Sequence, residues 1–141
     1  MKILFWNIRG LGNAGRRRQL VELCKKHDFH FICLQETIKE TFRSRELNSF
    51  SRGLDFHWSW IPSNGHSGGL LMGADQNLVT ILNEVKGEFC HYLDLQNVTD
   101  DFTWRLVNVY GPVQEDKKSS FLQEVREIVT VYSSFDYWRG L

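Results

Sequence analysis

Lys2–Ile3–Leu4–Phe5–Trp6–Asn7–Ile8–Arg9, read together with Leu34–Gln35–Glu36–Thr37, decides the fold. Ile3 to Trp6 are apolar in succession, the pattern of a strand covered on both faces. Gly10 and Gly12 break it. Phe29 to Leu34 is a second such run, and it too ends in polar groups, Gln35 and Glu36. Two buried strands that each deliver a polar side chain at their carboxyl ends suggest a site at one sheet edge. An amide and a carboxylate there can hold a hard divalent cation and orient a phosphate. The plainer alternative is that Asn7 opens a turn and Glu36 opens a helix, since strand ends are often polar.

The totals bound the answer. With 141 residues the chain is one domain at most. An apolar fraction of 42% and 13% aromatics supply a globular core and argue against disorder. Lys plus Arg and Asp plus Glu both number 17, so the formal charge is zero, which counts mildly against a dedicated nucleic-acid binder. Cys24, Cys33 and Cys90 are odd in number and lack metal-ligand spacing, so they read as reduced, buried thiols of an intracellular chain, nuclear or cytoplasmic. Four consecutive apolar residues at the amino terminus are too few for a signal peptide, and no stretch approaches a membrane span.

Further along, Arg16 to His27 reads as a helix with Leu20, Val21, Leu23 and Cys24 as its apolar stripe. Arg16–Arg17–Arg18 near its start oppose the helix dipole and read either as a solvated face or as a phosphate contact, the solvated face being favoured. Ile38 to Arg52 is expected to be a helix packed on one side through Phe42, Leu47 and Phe50. Phe56, Trp58 and Trp60 alternate, as in a half-buried strand. Ser67 to Ala74 is a strand opened by Gly68 and Gly69, which let another backbone approach closely. His66, just before it, is expected to be exposed. Leu78 to Val85 and Glu88 to Leu95 form a hairpin, Phe102 to Tyr110 is the next strand, and Glu115 to Tyr132 is a helix. Strand–helix–strand–helix, then about five strands and a helix, is a mixed α/β layout.

Phe5–Gly10, Leu34–Thr37, Ser67–Gly69 and Asn108–Val109–Tyr110–Gly111–Pro112, in that order, resemble the first half of the endonuclease/exonuclease/phosphatase superfamily, the DNase I-like fold. The wording is most similar to endonuclease domains of plant LINE-type (non-LTR) retrotransposons. The resemblance implies a four-layer α/β sandwich, with mixed sheets face to face and helices outside, of which this chain holds the amino-terminal part before truncation. It implies hydrolysis of DNA phosphodiesters with Mg²⁺ or Mn²⁺, no small-molecule cofactor and no membrane. Position by position, it makes Glu36 and Asn7 the metal site, and Asn7, Glu36 and Tyr110 the catalytic set. Asn7, Tyr110 and Asn108 become the substrate-binding set, with Asn108 holding loops together, and Gly68 and Gly69 sit near the packing between sheets.

The departures are as informative. The family pattern continues into a Gly-Asp-x-Asn motif and a terminal Asp-His pair, and this chain has neither: Asp136 stands alone and no His follows His91. A single carboxylate holds Mg²⁺ weakly. The sequence therefore reads as a truncated, inactive derivative of a retrotransposon endonuclease; the alternatives are an active metal-dependent nuclease or phosphatase and a non-catalytic nucleic-acid-binding remnant. Residues 1–132 form the domain part and 133–141 a frameshifted tail. One allowed coding of Ser134–Leu141, read one nucleotide later, gives Pro-Leu-Ile-Ile-Gly-Gly-Asp, an apolar strand ending in the missing motif. Loss of the second half is expected to uncover faces such as the one carrying Trp104, Leu106 or Val107.

Overall fold

Two sheets stand face to face in the computed structural model, which describes residues 1–133. The chain runs β1 (Ile3–Asn7), α1 (Ala14–Lys26), β2 (Phe31–Gln35), α2 (Ser44–Ser51), β3 (Phe56–Ile61), β4 (Leu70–Asp75), β5 (Val79–Lys86), β6 (Cys90–Asn97), β7 (Thr103–Val109) and α3 (Glu115–Ser133). The first sheet has the order β1-β2-β4-β3 and the second β5-β6-β7. Among the described residues, β1 and β2 are the one parallel pair, joined by the α1 crossover that parallel pairing requires. The other pairs are antiparallel. Of the expected tail 133–141, Ser133 is the last residue of α3, and 134–141 lie outside the described residues.

The pleat of β2 divides the core in two. Ile32 and Leu34 point to a cluster with Leu20, Cys24, Leu47 and Phe50, under α1 and α2. Phe31 and Cys33 point the other way, to Met72, Leu93, Leu95 and Leu106 between the sheets. Because β2 is central and covered on both faces, its run is apolar throughout. Asn13 starts α1 by accepting bonds from the backbone N–H of Gly15 and Arg16. On the far side α3 is anchored by Glu124, whose carboxylate accepts from the backbone N–H of Glu88 and Phe89, and by Phe121 set edge-on to Phe89. Helices, sheet, sheet and helix make four layers.

Several expectations need correction. Segment 38–43 is not helical, and α2 begins only at Ser44. The backbone N–H of Thr37 and Ile38 is bonded to the carbonyls of Gly69 and Gly68, and Ser63 N–H to Lys39 O, so tertiary bonds claim the backbone that a helix would need. β4 starts at Leu70, after the glycine pair rather than before it. Trp104 and Leu106 are not left bare: they face the first sheet, with Leu106 buried and Trp104 edge-on to Phe31. β1 is covered on one face only. Leu4 and Trp6 pack under the helices, whereas Ile3 and Phe5 are 36% and 55% exposed.

Between β3 and the second sheet runs a polar seam. Ser59 Oγ lies 2.7 Å from His91 Nε2, and His57 Nε2 lies 2.9 Å from Glu84 Oε1. Burial opposes ionisation of Glu84, but hydrogen bonds from Ser59 and His57 outweigh it and hold the carboxyl below its usual range. His91 is fully buried with no partner for Nδ1. Burial first, then the charges of Lys86 and His57, push its pKa down to about 4, against an opposing pull from Glu84.

Two outcomes follow for stability. The folded state binds the His91 proton less well than the unfolded chain, so this group's contribution is complete above pH 6.5 and is lost as pH falls toward about 4. That amounts to about 3 kcal/mol over the window. Urea unfolding at stepped pH should show the decline, and His91→Gln should flatten it. Separately, Asn108 is buried in β7 and its Nδ2 donates to the Leu34 and Leu71 carbonyls, so Asn108→Ala should cost about 2–3 kcal/mol in the same assay, because two buried carbonyls lose a donor.

Candidate active site

Asn7 closes β1 and Gln35 closes β2 at one end of the first sheet, and Tyr110 follows the last residue of β7. Asn7 is in register with Gln35, and the pairing continues past the strands: Ile8 N–H bonds to Gln35 O, Gly10 N–H to Glu36 O and Leu11 N–H to Thr37 O. On its other side the 36–38 segment is bonded to Gly68 and Gly69. Three connections are thus laced side by side under the site. The lacing forces unusual backbone. Arg9, Gly10, Glu36, Ile38, Gly68 and Gly69 all have positive φ. At Gly69, with φ +93°, a Cβ would fall 2.3 Å from Thr37 Oγ1, so only glycine fits. Non-glycine residues held in the left-handed region are costly and mark places where geometry is imposed for another purpose.

Glu36 is one of those residues, at φ +52°. Its carboxylate faces Tyr110: burial, the negative charge of Glu36 and a hydrogen bond to it together raise the Tyr110 pKa above the ordinary tyrosine value. The phenol therefore keeps its proton and can act as a donor. Asn7 is exposed on the neighbouring strand. A cavity of about 230 Å³ opens at the same end, walled by Tyr110, Gly68, Gly69, Asn64 and Lys117 among others.

Asn108, placed by sequence in the substrate-binding set, is fully buried instead. Its Nδ2 donates to Leu34 O at 3.1 Å and Leu71 O at 3.2 Å, and its Oδ1 accepts from Gln35 Nε2 at 2.7 Å. It joins sheets rather than loops. Gly68 and Gly69 hold the segment after Glu36 rather than the inter-sheet packing. His66 is exposed in the turn before β4. His91, the last histidine, is committed to Ser59 in the interior. Sequence reasoning passed over Gln35, which orients Asn108, and Glu124, whose contact with the β5–β6 turn no periodicity reveals. The three cysteines are buried and free, with thiol pKa values pushed by burial to about 11 for Cys24 and about 12 for Cys33.

Glu36 and Asn7 offer a carboxylate and an amide oxygen, hard donors suited to Mg²⁺ or Mn²⁺. Among the described residues, no three His, Cys, Asp or Glu side chains gather as a metal cluster. The donor set fits a cation that keeps most of its water. No helix among the described residues is long and apolar enough to cross a membrane.

This arrangement matches a known class. Residues 4–134 match the endonuclease/exonuclease/phosphatase family, and the chain belongs to it. An exodeoxyribonuclease of Bacillus subtilis (strain 168) is 26% identical over 81 residues, covering 57% of this chain and 31% of that protein. A 3′ phosphatase from Neisseria, solved with a product DNA hairpin, superposes with a TM-score of 0.69 at 16% identity, over 95% of this chain and 53% of that one. The human Nocturnin catalytic domain, with bound sulfate, gives 0.63 at 16% identity, over 91% and 58%. The chain spans under a third of the curated relative and just over half of these two solved ones.

The contact between Glu36 and Tyr110 can be checked by titration. In Glu36→Gln the phenol of Tyr110 should ionise at lower pH than in the unaltered chain, because the nearby negative charge is gone. Phenolate absorbance, taken as a difference against Tyr110→Phe, reads this directly; an unchanged titration would mean the two groups do not meet.

Proposed function

We propose that this chain carries the Asn7–Glu36–Tyr110 portion of a divalent-metal phosphodiesterase site directed at DNA, and that these 141 residues alone do not turn over. The observation that supports the reading most is the Glu36–Tyr110 pair, held by strained backbone at the strand ends. Glu36 and Asn7 would hold Mg²⁺ or Mn²⁺, which when bound lowers the pKa of water or polarises the phosphoryl group. Tyr110, protonated, would donate to a phosphate oxygen, and the Asn7 amide N–H would fix a second one. Asn108 acts as a positioning residue, setting the height of Tyr110 through the strand before it.

What would complete the chemistry is a group that takes or gives the proton. His91 is buried and bonded to Ser59, and the sequence has neither Gly-Asp-x-Asn nor a later histidine. The B. subtilis exodeoxyribonuclease and the Neisseria phosphatase with its DNA hairpin favour DNA as the substrate class. The motif wording favours descent from a plant LINE-type retrotransposon endonuclease, with a one-frame slip before the tail.

In a plasmid-nicking assay with millimolar Mg²⁺ or Mn²⁺, the 141-residue chain should leave supercoiled DNA intact. Metal-dependent nicking that Glu36→Gln abolishes would overturn the loss of turnover while upholding the site. The origin is checked by sequencing the locus: the +1 frame after codon 133 should encode Gly-Asp-x-Asn and a later Asp-His pair.

A further inference from the structure

A surface cavity of about 930 Å³ lies away from the strand ends, between α1 and α2. It shares none of Asn7, Glu36 and Tyr110. Five cationic side chains line it: Arg17, Arg18, Lys39, Arg43 and Arg45. Only two carboxylates do, those of Glu40 and Glu46. The chain as a whole is neutral, so this excess of three positive charges is a local concentration offset elsewhere.

The excess is not spent on folding. Glu46 alone takes two of the cations, with Lys39 at 2.8 Å and Arg17 at 3.6 Å. Arg18, Arg43 and Arg45 are exposed and make no ion pair among the described residues. Their placement also runs against the helices. The first turn of α1 has no acidic residue, and Arg43, the residue before α2, gives no side-chain cap, although Glu46 lies in the first turn of α2. Positive side chains at the positive end of a helix dipole are destabilising, and Glu46, the one carboxylate in the first turn of α2, is already shared by Lys39 and Arg17, so Arg18, Arg43 and Arg45 are left for an external anion. The repulsion and the open volume are answered by the same ligand.

We infer that the α1–α2 cleft binds the phosphate backbone of a nucleic-acid strand, with Arg18, Arg43 and Arg45 as phosphate contacts and with Arg17 and Lys39 shared between Glu46 and the strand. Four of the five cations are arginines, whose planar forks grip phosphate oxygens in pairs. None of the large exposed apolar side chains borders the cleft, which leaves nothing to enter a lipid surface. The cleft follows on from the site in the chain, Lys39 lying three residues past Glu36. Binding here does not depend on the proposed hydrolysis, since it needs neither metal nor Tyr110.

The test is fluorescence polarisation of the full chain with an end-labelled DNA strand of about 20 nucleotides, in EDTA, between about 50 and 200 mM salt. EDTA removes the metal site, so failure of the cleft and failure of the phosphodiesterase reading appear in separate assays. Arg43→Ser with Arg45→Ser should weaken binding about tenfold and shrink the log–log salt slope by roughly 1.5, two phosphate contacts' worth. Lys25→Ser with Lys26→Ser, the same charge loss at the far end of α1, should weaken it less than about threefold. Glu46→Gln should tighten it. Circular dichroism should leave all these variants folded, since the altered groups are at the surface or, for Glu46, replaced by an isostere. Equal losses from the two double variants would reduce the effect to net charge and overturn the inference, as would no binding at low salt. Full displacement by inorganic phosphate at matched ionic strength would make it a small-anion site and overturn it. Equal, Arg43- and Arg45-dependent binding to phosphatidylserine vesicles would also overturn it.

Discussion

The amide of Asn108 is the point where directed bonds lock the two sheets together. Apolar packing between Phe31, Met72, Leu93 and Leu106 holds the sheets close, but such packing tolerates sliding. An amide with one donor pair and one acceptor does not. By donating to the carbonyls of Leu34 and Leu71 and accepting a hydrogen bond from Gln35 Nε2, Asn108 fixes β7 against β2 and β4 at one height. Glu36 is the residue after Gln35, and Tyr110 stands two residues after Asn108. The spacing of the candidate site is therefore set by a buried joint one residue away on one side and two on the other.

That joint explains why strain gathers beyond it. With the strands pinned, the three connections after β1, after β2 and before β4 have little room, and they bond to one another edge to edge. Arg9, Glu36 and Ile38 adopt a left-handed backbone that their side chains disfavour, and Gly68 and Gly69 adopt one that few other residues could. The cost is repaid by the core, in which Ile8, Leu11 and Leu34 are fully buried. The return is a carboxylate aimed at a phenol that stays protonated.

The strands were legible because β2 is covered on both faces and reads as an unbroken apolar run, and because Phe56, Trp58 and Trp60 alternate on a half-covered strand. Asn7, Glu36 and Tyr110 were legible only through motifs, since periodicity says nothing about which polar strand ends meet. The helix expected over 38–52 misled because Phe42, Leu47 and Phe50 are indeed buried; burial spacing cannot tell a helix from an extended segment whose N–H groups are taken by Gly68 and Gly69. Likewise Trp104 and Leu106 carry no mark of which sheet face they occupy until the partner of β2 is known. The α1–α2 cleft was hidden for another reason. Its cations are spread over Arg17–Arg18, Lys39 and Arg43–Arg45, and only folding of two helices side by side sums them.

The open face of β1 ties these points together. Ile3, Phe5 and Asn7 are in register with Phe31, Cys33 and Gln35, so they point to the inter-sheet side. Among the described residues the second sheet ends at β7, which lies over β2 and β4, and no strand reaches far enough to cover β1. Two apolar side chains are exposed as a result, a cost in hydration that the sequence did not relieve with polar replacements. Polar residues at 3 and 5 would solvate the strand and would also remove the wall beside Asn7. As it stands, Asn7 is exposed at the end of an otherwise apolar strip, in register with Gln35. Among the described residues, the side of the sandwich that is least protected is also the side on which Asn7 is open to a ligand.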